Sequence, residues 1–170
     1  RLLQQPAPDG AVPAALALAA SDPARGPLLR VRALRHTPWP VRQAQAAELA
    51  PLLRETERFG ALMGLQVHLA EAALAAGEPD AAADAAAQVL ALFGDGCAPD
   101  SMYRAEAWWV AHRALAAAGH TGQAAAALQQ GTGWVMRQAL PHVPPPFIDS
   151  FLHRNPVNRA LLAAAGNTRA

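Results

Sequence analysis

Two long apolar stretches, separated by a short polar break, dominate the middle of the chain. Residues 61–76 and 80–93 are rich in Ala, Leu and Val, and the break between them reads Gly-Glu-Pro-Asp. Glycine and proline interrupt helices, so the pattern predicts two antiparallel helices joined by a tight turn, with Asp80 as the N-cap of the second. A Phe-Gly pair stands at each end, 34 residues apart. We interpret its glycines, Gly60 and Gly94, as residues that end helices.

Further breaks divide the rest of the chain into more predicted helices. Proline biases the residue before it away from the helical conformation, so the Thr-Pro-Trp-Pro stretch at 37–40 predicts a hard stop. Pro51 predicts a kink or a division near Glu48, and Asn155 with Pro156 predicts an N-cap and first residue of a last helix. We expect residues 1–10 to be the frayed end of an upstream element followed by a loop, and the last four residues to be disordered. The predicted helices outside the central pair span residues 12–20, 27–36, 41–59, 101–118, 123–140, 147–153 and 157–165. The predicted buried side of helix 41–59 consists of Ala44, Ala47, Leu49, Leu52, Leu53 and Phe59.

Composition supports an all-α fold. Alanine is the best helix former, and the chain has a single isoleucine, Ile148. We predict a right-handed α-α superhelix of antiparallel helix hairpins with about nine helices, in one structural domain. Within it, residues 1–40 form a partial hairpin and loops, 41–140 form the repeats, and 141–170 form capping helices and a tail. The turn glycines Gly77 and Gly119 are 42 residues apart, and we place the extra residues in a loop over 95–102.

Charge and cysteine content exclude several classes of function. The 14 basic residues are all Arg and balance 13 acidic residues, so no basic block predicts nucleic-acid binding. We interpret Arg30, Arg32 and Arg35 as a solvated helix face and the Arg and Ala bias as that of a GC-rich bacterial genome. A single cysteine, Cys97, excludes an internal disulfide and fits an inert thiol in the cytoplasm.

Targeting and membrane segments are not predicted either. Residues 11–20 resemble the apolar part of a signal peptide but lack a basic segment before them. No apolar run is expected to reach the ~18 residues of a membrane span. Because the chain begins at Arg1 and not at Met, we expect it to be part of a longer protein.

Residues of the two central hairpins resemble the tetratricopeptide repeat, a helix–turn–helix unit with a 34-residue period. Gly77 and Gly119 fall on its turn glycine, and Trp108 falls on its leading Trp. The other matches are Ala82 and Ala124 on its small residue, Leu69-Ala70 on its Leu-small pair, and Leu128 on its aromatic position. Gln66, His112 and Gly131 depart from the pattern.

The C-terminal block resembles the tail of helical-repeat domains in large bacterial transcriptional activators of the signal-transducing ATPase or LuxR type. The stretches that carry this resemblance are FIDSFL at 147–152 and NPVNRALL at 155–162. It implies a sensor that binds an effector or a protein partner and passes the signal to other domains of a longer parent chain. No phosphate loop or helix-turn-helix signature is present in these residues.

In such a solenoid the first helix of each hairpin lines the concave surface, and its outward positions recur at about i, i+3 and i+7. The candidate binding residues are therefore Glu106, Trp109 and Arg113 on one helix, and Val67, Glu71 and Leu74 on the other. Tryptophan offers large apolar area and arginine binds carboxylates with two hydrogen bonds. Alternatively Trp108 and Trp109 both fill core, as we expect for Trp39 and Trp134.

Signals for catalysis or metal binding are weak. No two His are spaced at i,i+4, so no zinc site or other cofactor is predicted, and we expect His68 and His112 to be satisfied core residues that could face each other. Gly131-Thr132-Gly133 lacks the context of a phosphate cradle, and Ser150 lacks the glycines of a nucleophile elbow. Glu55 and Glu57 do not share a helix face, so they cannot share acid/base work. We expect a non-enzymatic binding module. The alternatives are a self-associating scaffold or adaptor, and a hydrolase using His112 with Ser150 or Cys97.

Overall fold

The protein is all-α. The structure, a computed structural model, describes residues 26–100 and 102–167, and these contain no strand. The helices predicted over 12–20 and the ends of the chain therefore lie outside the described residues. The α-helices are α1 (Gly26–Leu34), α2 (Trp39–Glu55), α3 (Phe59–Ala76), α4 (Pro79–Gly94), α5 (Arg104–Ala117), α6 (Thr121–Trp134) and α7 (Pro156–Asn167). Between α6 and α7 lie two π-helical turns (Val135–Ala139 and Ser150–Arg154) and two 3₁₀ turns (Leu140–His142 and Pro145–Phe147).

Four helices end in the same way, with one residue in the left-handed conformation. At Gly77 (φ 77°), the next amide, that of Glu78, donates to the carbonyl of Ala73 at 2.9 Å. The equivalent bond at Gly119 runs from His120 to Leu115 at 2.8 Å. Both turn glycines therefore adopt a Schellman motif, in which glycine avoids the strain that a Cβ would add. The prediction of hairpins at these two turns is confirmed by their backbone geometry.

Of the two other glycines predicted to end helices, Gly60 does not do so. The residue with positive φ after α2 is Glu57 (53°), and after α4 it is Gly96 (80°). Gly60 lies in the first turn of α3, where a Cβ would collide with the Asp100 carboxylate and lie 2.7 Å from the carbonyl oxygen of Ala98. Glycine at position 60 therefore permits a close approach of the 98–100 loop and does not end a helix. Gly94 is the last residue of α4, so this helix ends there as predicted, although the residue in the left-handed conformation is Gly96.

The 34-residue spacing of the Phe-Gly pairs measures one hairpin and not a repeat. Phe59 opens α3, whereas Phe93 lies in the last turn of α4. The two hairpins are offset by the 42 residues between Gly77 and Gly119, as their turns predict. A nine-residue connection between α4 and α5, residues 95–103, is much longer than the three residues between α2 and α3.

Prolines alter the predicted bounds of α2. It begins at Trp39, and Pro40 lies in its first turn, where a backbone amide has no hydrogen bond within the helix to lose. The predicted break between helices therefore ends at Pro38 and does not extend to Pro40. The helix continues through Pro51 and is not divided there. Its buried residues are Ala46, Leu49 and Leu53. Ala44, Ala47 and Leu52, predicted to be buried, are exposed because the buried stripe is rotated from the predicted one. Phe59, also predicted to be buried, belongs to α3 and is exposed as well.

The hydrophobic core has three parts, and α3 joins two of them. One packs α1 and α2 against the start of α3, including Leu34, Leu49 and Leu65. The largest packs α3 against α4, α5 and α6. Eleven of the 18 residues of α3 are buried, so this helix has other helices on most of its sides. Against our expectation, α3 is long and apolar enough to cross a membrane. However, 61% of its 18 residues are buried within the protein, as in a core helix.

The third part of the core attaches the C-terminal segment to α5. Asn155 caps α7 as predicted, because its Oδ1 accepts hydrogen bonds from the amides of Val157 (3.0 Å) and Asn158 (3.1 Å). Asn158 is fully buried, and its Oδ1 accepts a hydrogen bond of 2.9 Å from the Tyr103 hydroxyl. The helices predicted over 123–140 and 147–153 are instead interrupted by π and 3₁₀ turns. Asp80, the other predicted N-cap, is not one; Glu78 holds that position without a side-chain bond.

Candidate functional site

A group of charged side chains gathers where α1, α2, α3 and α5 meet. We call it the charged cluster; its members are Arg35, Arg42, His68, Glu71 and Glu106. Arg35 follows the end of α1, Arg42 lies in the first turn of α2, and the other three lie on α3 and α5. His68 and Glu71 are neighbours on α3, and helix packing brings the arginines and Glu106 to them.

Arg42 links the α1–α2 connection to α3 through hydrogen bonds to backbone carbonyls. Its Nε and Nη2 donate to the carbonyl of Thr37 (3.0 and 2.7 Å), and Nη2 also donates to that of Arg35 (3.0 Å). Its Nη1 donates to the carbonyl of His68 at 3.0 Å. Burial lowers the pKa of Arg42, and the charge of Glu71 opposes that change. Because all four bonds go to backbone oxygens, Arg42 fixes the α1–α2 connection to α3 and is not free to bind a ligand.

His68 has an unused ring nitrogen. The residue is 7% exposed, and its Nδ1 has no hydrogen-bond partner among the described residues. The nearest acidic oxygen, Oε2 of Glu71, lies 3.7 Å away, which is too long for a hydrogen bond. His68 is therefore buried as predicted but is not satisfied, and an unpaired buried polar atom is unfavourable.

The two carboxyl groups of the charged cluster have opposite pKa shifts. Burial raises the pKa of Glu106, as does the negative charge of Glu71, and Arg35 and His68 offset only part of this rise. Burial also opposes ionisation of Glu71, but contact with His68 and the charges of Arg35 and Arg113 together lower its pKa below the ordinary glutamate value. Glu106 lies 3.7 Å from the guanidinium of Arg35, so this ion pair is loose. The cluster thus holds one carboxylate and one carboxyl group that retains its proton to higher pH.

On α5, the predicted outward stripe continues from Glu106 to Trp109 and Arg113. The Trp109 ring stacks on that of His112, with centroids 5.4 Å apart. His112 Nδ1 lies 2.9 Å from the Ala124 carbonyl oxygen, which can only accept, so this nitrogen carries the proton. Arg113 is exposed, and its charge acts on Glu71. His112 is thus satisfied, as predicted, and supports the position of Trp109.

The predicted site residues divide into two groups. Glu71, Glu106 and Arg113 are electrostatically linked, and Trp109 lies on their stripe of α5. Val67, by contrast, is fully buried in the largest core cluster, and Leu74 packs partly against it, so the expectation that Val67 lines a surface is wrong. The reason is that α3 is enclosed by α4 and α5, and a spacing rule for one exposed face does not hold there.

Arg35 and Arg42 are the residues that the sequence did not indicate. Arg35 belongs to a trio interpreted as a solvated face. Arg32 is exposed and Arg30 forms an ion pair with Glu48 at 3.0 Å, as that interpretation predicts, whereas Arg35 also reaches Glu106. Arg42 lies beside Pro40 in a predicted helix but has no pattern that predicts its carbonyl partners. Their position depends on the turn after α1.

The structure also shows how far the tryptophans are buried and whether the side chains considered for catalysis or metal binding lie together. Trp108 is buried, while Trp39, Trp109 and Trp134 are partly buried against the core clusters. Within residues 26–100 and 102–167, no three His, Cys, Asp or Glu side chains are grouped to hold a metal ion. No hydrogen bond joins His112 to Ser150 or Cys97 in this part of the chain.

A scan against protein-family models and searches of curated proteins and of solved structures found no match to this chain.

Proposed function

We propose that this chain is a non-catalytic helical-repeat binding module whose recognition surface is formed by α3 and α5. The observation that carries the proposal is the incomplete pairing of the charged cluster. Both of its acid–base contacts, Arg35 to Glu106 and His68 to Glu71, are 3.7 Å long. The side chains of His68 and Glu106 are largely buried, whereas those of Arg35 and Glu71 are 39% and 35% exposed. A bound group that hydrogen-bonds there would replace contacts that the protein itself leaves long.

Trp109 and Arg113 indicate what kind of occupant fits. Trp109 provides a flat apolar area, and the exposed guanidinium of Arg113 binds a carboxylate through two parallel hydrogen bonds. Glu106 donates a hydrogen bond when it is protonated, and its pKa is raised. The occupant is therefore a peptide segment, or a small effector, with an apolar part next to an anionic group.

The wider role we propose is that of a sensor in a bacterial, cytoplasmic transcriptional regulator. Its support is the resemblance of the C-terminal block, residues 147–162, to the tail of helical-repeat domains in such regulators. Other domains of the parent protein would contact DNA, since the charge of this chain is near balance.

The test is a peptide array probed with labelled protein. Trp109→Ala and Arg113→Ala should each weaken binding to the peptides that the unaltered protein selects, while far-UV circular dichroism stays the same. Arg32→Ala is the matched control, because Arg32 is exposed and lies outside the charged cluster. If both surface variants lose their cooperative melting transition, those residues belong to the core and the surface is misplaced.

Exposed apolar residues favour a second candidate, a self-associating scaffold. Phe147 is 61% exposed, and Ile148 beside it is also exposed. A second copy would cover them by hydrophobic association. Light scattering separates the two proposals, because a mass that stays monomeric over a wide concentration range would rule out the scaffold.

A further inference from the structure

A second concave region lies between α4, α5 and α6, away from the charged cluster. It has a volume of about 620 Å³ and an aromatic floor. In that floor Phe93 and Trp108 stack with centroids 4.2 Å apart, and Trp134 lies 6.1 Å from Trp108. We call this region the aromatic groove. Its volume lies within the range of about 300–1,000 Å³ that small-molecule sites occupy.

The charges of the aromatic groove are all positive. Arg104 and Arg137 line it, and no Asp or Glu does. The guanidinium carbon of Arg104 lies 6.0 Å from the centre of the Phe93 ring. Among the residues that the structure describes, neither arginine forms an ion pair. The other polar groups that line the aromatic groove are the side-chain amides of Gln123, Gln130 and Gln138. Gln130 accepts a hydrogen bond from Trp108.

The backbone beside the groove is shaped to hold Arg137. Gly133 lies one turn before it, and a Cβ at Gly133 would stand 2.9 Å from Cζ of the Arg137 guanidinium. The Arg137 guanidinium therefore lies directly against the backbone of α6 at this glycine, where a side chain would have to displace it. The helix then changes to a π-helical turn, Val135–Ala139, that carries both Arg137 and Gln138. π-helical turns are rare in proteins, and those that occur are often found at functional sites.

The two surfaces use opposite sides of α5. Arg104, Trp108 and Leu115 line the aromatic groove, whereas Glu106, Trp109 and Arg113 form the stripe beside the charged cluster. Positions 104 and 106 are separated by about 200° around a helix of 3.6 residues per turn. A ligand in one region therefore does not contact the side chains of the other, and each can be tested alone.

We propose that the aromatic groove binds a small amphipathic carboxylate. Its apolar or aromatic body lies against Trp108 and Trp134, and its carboxylate pairs with the guanidinium groups of Arg137 and Arg104. An anion is favoured over a cation because the lining holds two positive charges and no negative charge. This site goes beyond the proposed recognition surface on α3 and α5 and does not rest on it.

The experiment compares three probes of similar shape on the unaltered protein by isothermal titration calorimetry. Indole-3-acetate carries the carboxylate, indole-3-acetamide is its neutral analogue, and tryptamine is a cationic analogue. We expect indole-3-acetate to bind with a Kd at or below about 1 mM. The amide should bind about tenfold more weakly because it lacks the charge-assisted bond, and tryptamine should not bind. Equal binding of acid and amide, or no saturable binding of the acid up to about 10 mM, overturns the proposal.

Three variants locate the site. Arg137→Gln should weaken indole-3-acetate binding by about tenfold, because it removes the guanidinium. Gly133→Ala should weaken binding less, because it only displaces the flexible end of that side chain. Arg32→Gln, at an exposed position outside both regions, should leave binding unchanged. Unchanged binding in Arg137→Gln, or loss in Arg32→Gln, contradicts the assignment. Should Arg137→Gln fail to fold, Arg104→Gln takes its place, and the acid–amide comparison decides without any variant. Peptide binding by the α3–α5 surface is unaffected by either result, so the two proposals fail separately.

Discussion

Replacing Asn158 tests how the C-terminal segment is held to the hairpins. This side chain is fully buried, and its Nδ2 donates to the Phe151 carbonyl at 2.8 Å while its Oδ1 accepts from the Tyr103 hydroxyl at 2.9 Å. Each hydrogen bond contributes about 1 kcal/mol, and leaving a buried partner unpaired adds about 1 kcal/mol or more. We therefore expect Asn158→Ala to lower the free energy of unfolding by about 2–4 kcal/mol.

Tyr103→Phe isolates one of these bonds and completes a double-mutant cycle. Alone, it should cost about 1 kcal/mol, and in the Asn158→Ala background it should cost close to nothing, because the bond is already absent. Urea unfolding, followed by far-UV circular dichroism and tryptophan fluorescence, measures all four proteins. Trp134 reports locally, since its ring lies 5.5 Å from that of Tyr103. Additive costs in the cycle, or an Asn158→Ala cost below about 0.5 kcal/mol, would refute this reasoning.

Four other substitutions have expected effects on stability, and the effects differ in sign. Glu71 has a lowered pKa, so its stabilising contribution is present above the ordinary glutamate pKa and is lost as pH falls through the lowered value; Glu71→Gln should destabilise at pH 7 and have no effect in strong acid. Glu106 has a raised pKa, so the free energy of unfolding falls as pH rises through that pKa. Glu106→Gln should remove this pH dependence from urea-unfolding measurements. If Glu71→Gln and Glu106→Gln change the pH dependence of stability in the same way, the opposite pKa shifts of the two residues are contradicted. Arg42→Ala removes four bonds to backbone carbonyls and should cost about 2–4 kcal/mol in thermal or urea unfolding, against about 0.5 kcal/mol or less for the exposed Arg32→Ala. Glu57→Gly should raise the melting temperature, because position 57 has φ of 53° and glycine avoids up to about 1 kcal/mol of strain; a lower melting temperature would mean that the glutamate side chain makes a compensating contact.

Most of the helical order was predictable from local signals. The turns at Gly77 and Gly119 and the Asn155 cap depend on a few neighbouring residues, and all three have the geometry that the sequence predicts. The prediction for Gly60 is wrong because glycine is used both to end helices and to allow a close approach of another segment. At position 60 it admits the 98–100 loop, and that approach is a tertiary contact that no local pattern reveals.

The candidate site was predictable only where one helix supplies it. The spacing of Glu106, Trp109 and Arg113 follows from the helical period, because α5 has a single outward stripe beside the charged cluster. The same rule chose Val67, which is buried because α3 lies among other helices. Arg35 and Arg42 enter the cluster through the connection between α1 and α2, so their contacts with α3 and α5 exist only after packing.

The measurement closest to the central proposal is an NMR titration of the four indole N–H signals with the strongest peptide from the array. Trp109 lies on the stripe of Glu106 and Arg113, whereas Trp108 and Trp134 line the aromatic groove. Recognition by the α3–α5 surface predicts a saturable shift of the Trp109 signal while those of Trp108 and Trp134 stay in place. In Arg113→Ala, the same shift should need a higher peptide concentration. If the peptide shifts the Trp134 signal and leaves the Trp109 signal unchanged, the account is contradicted, and the peptide binds on the opposite side of α5.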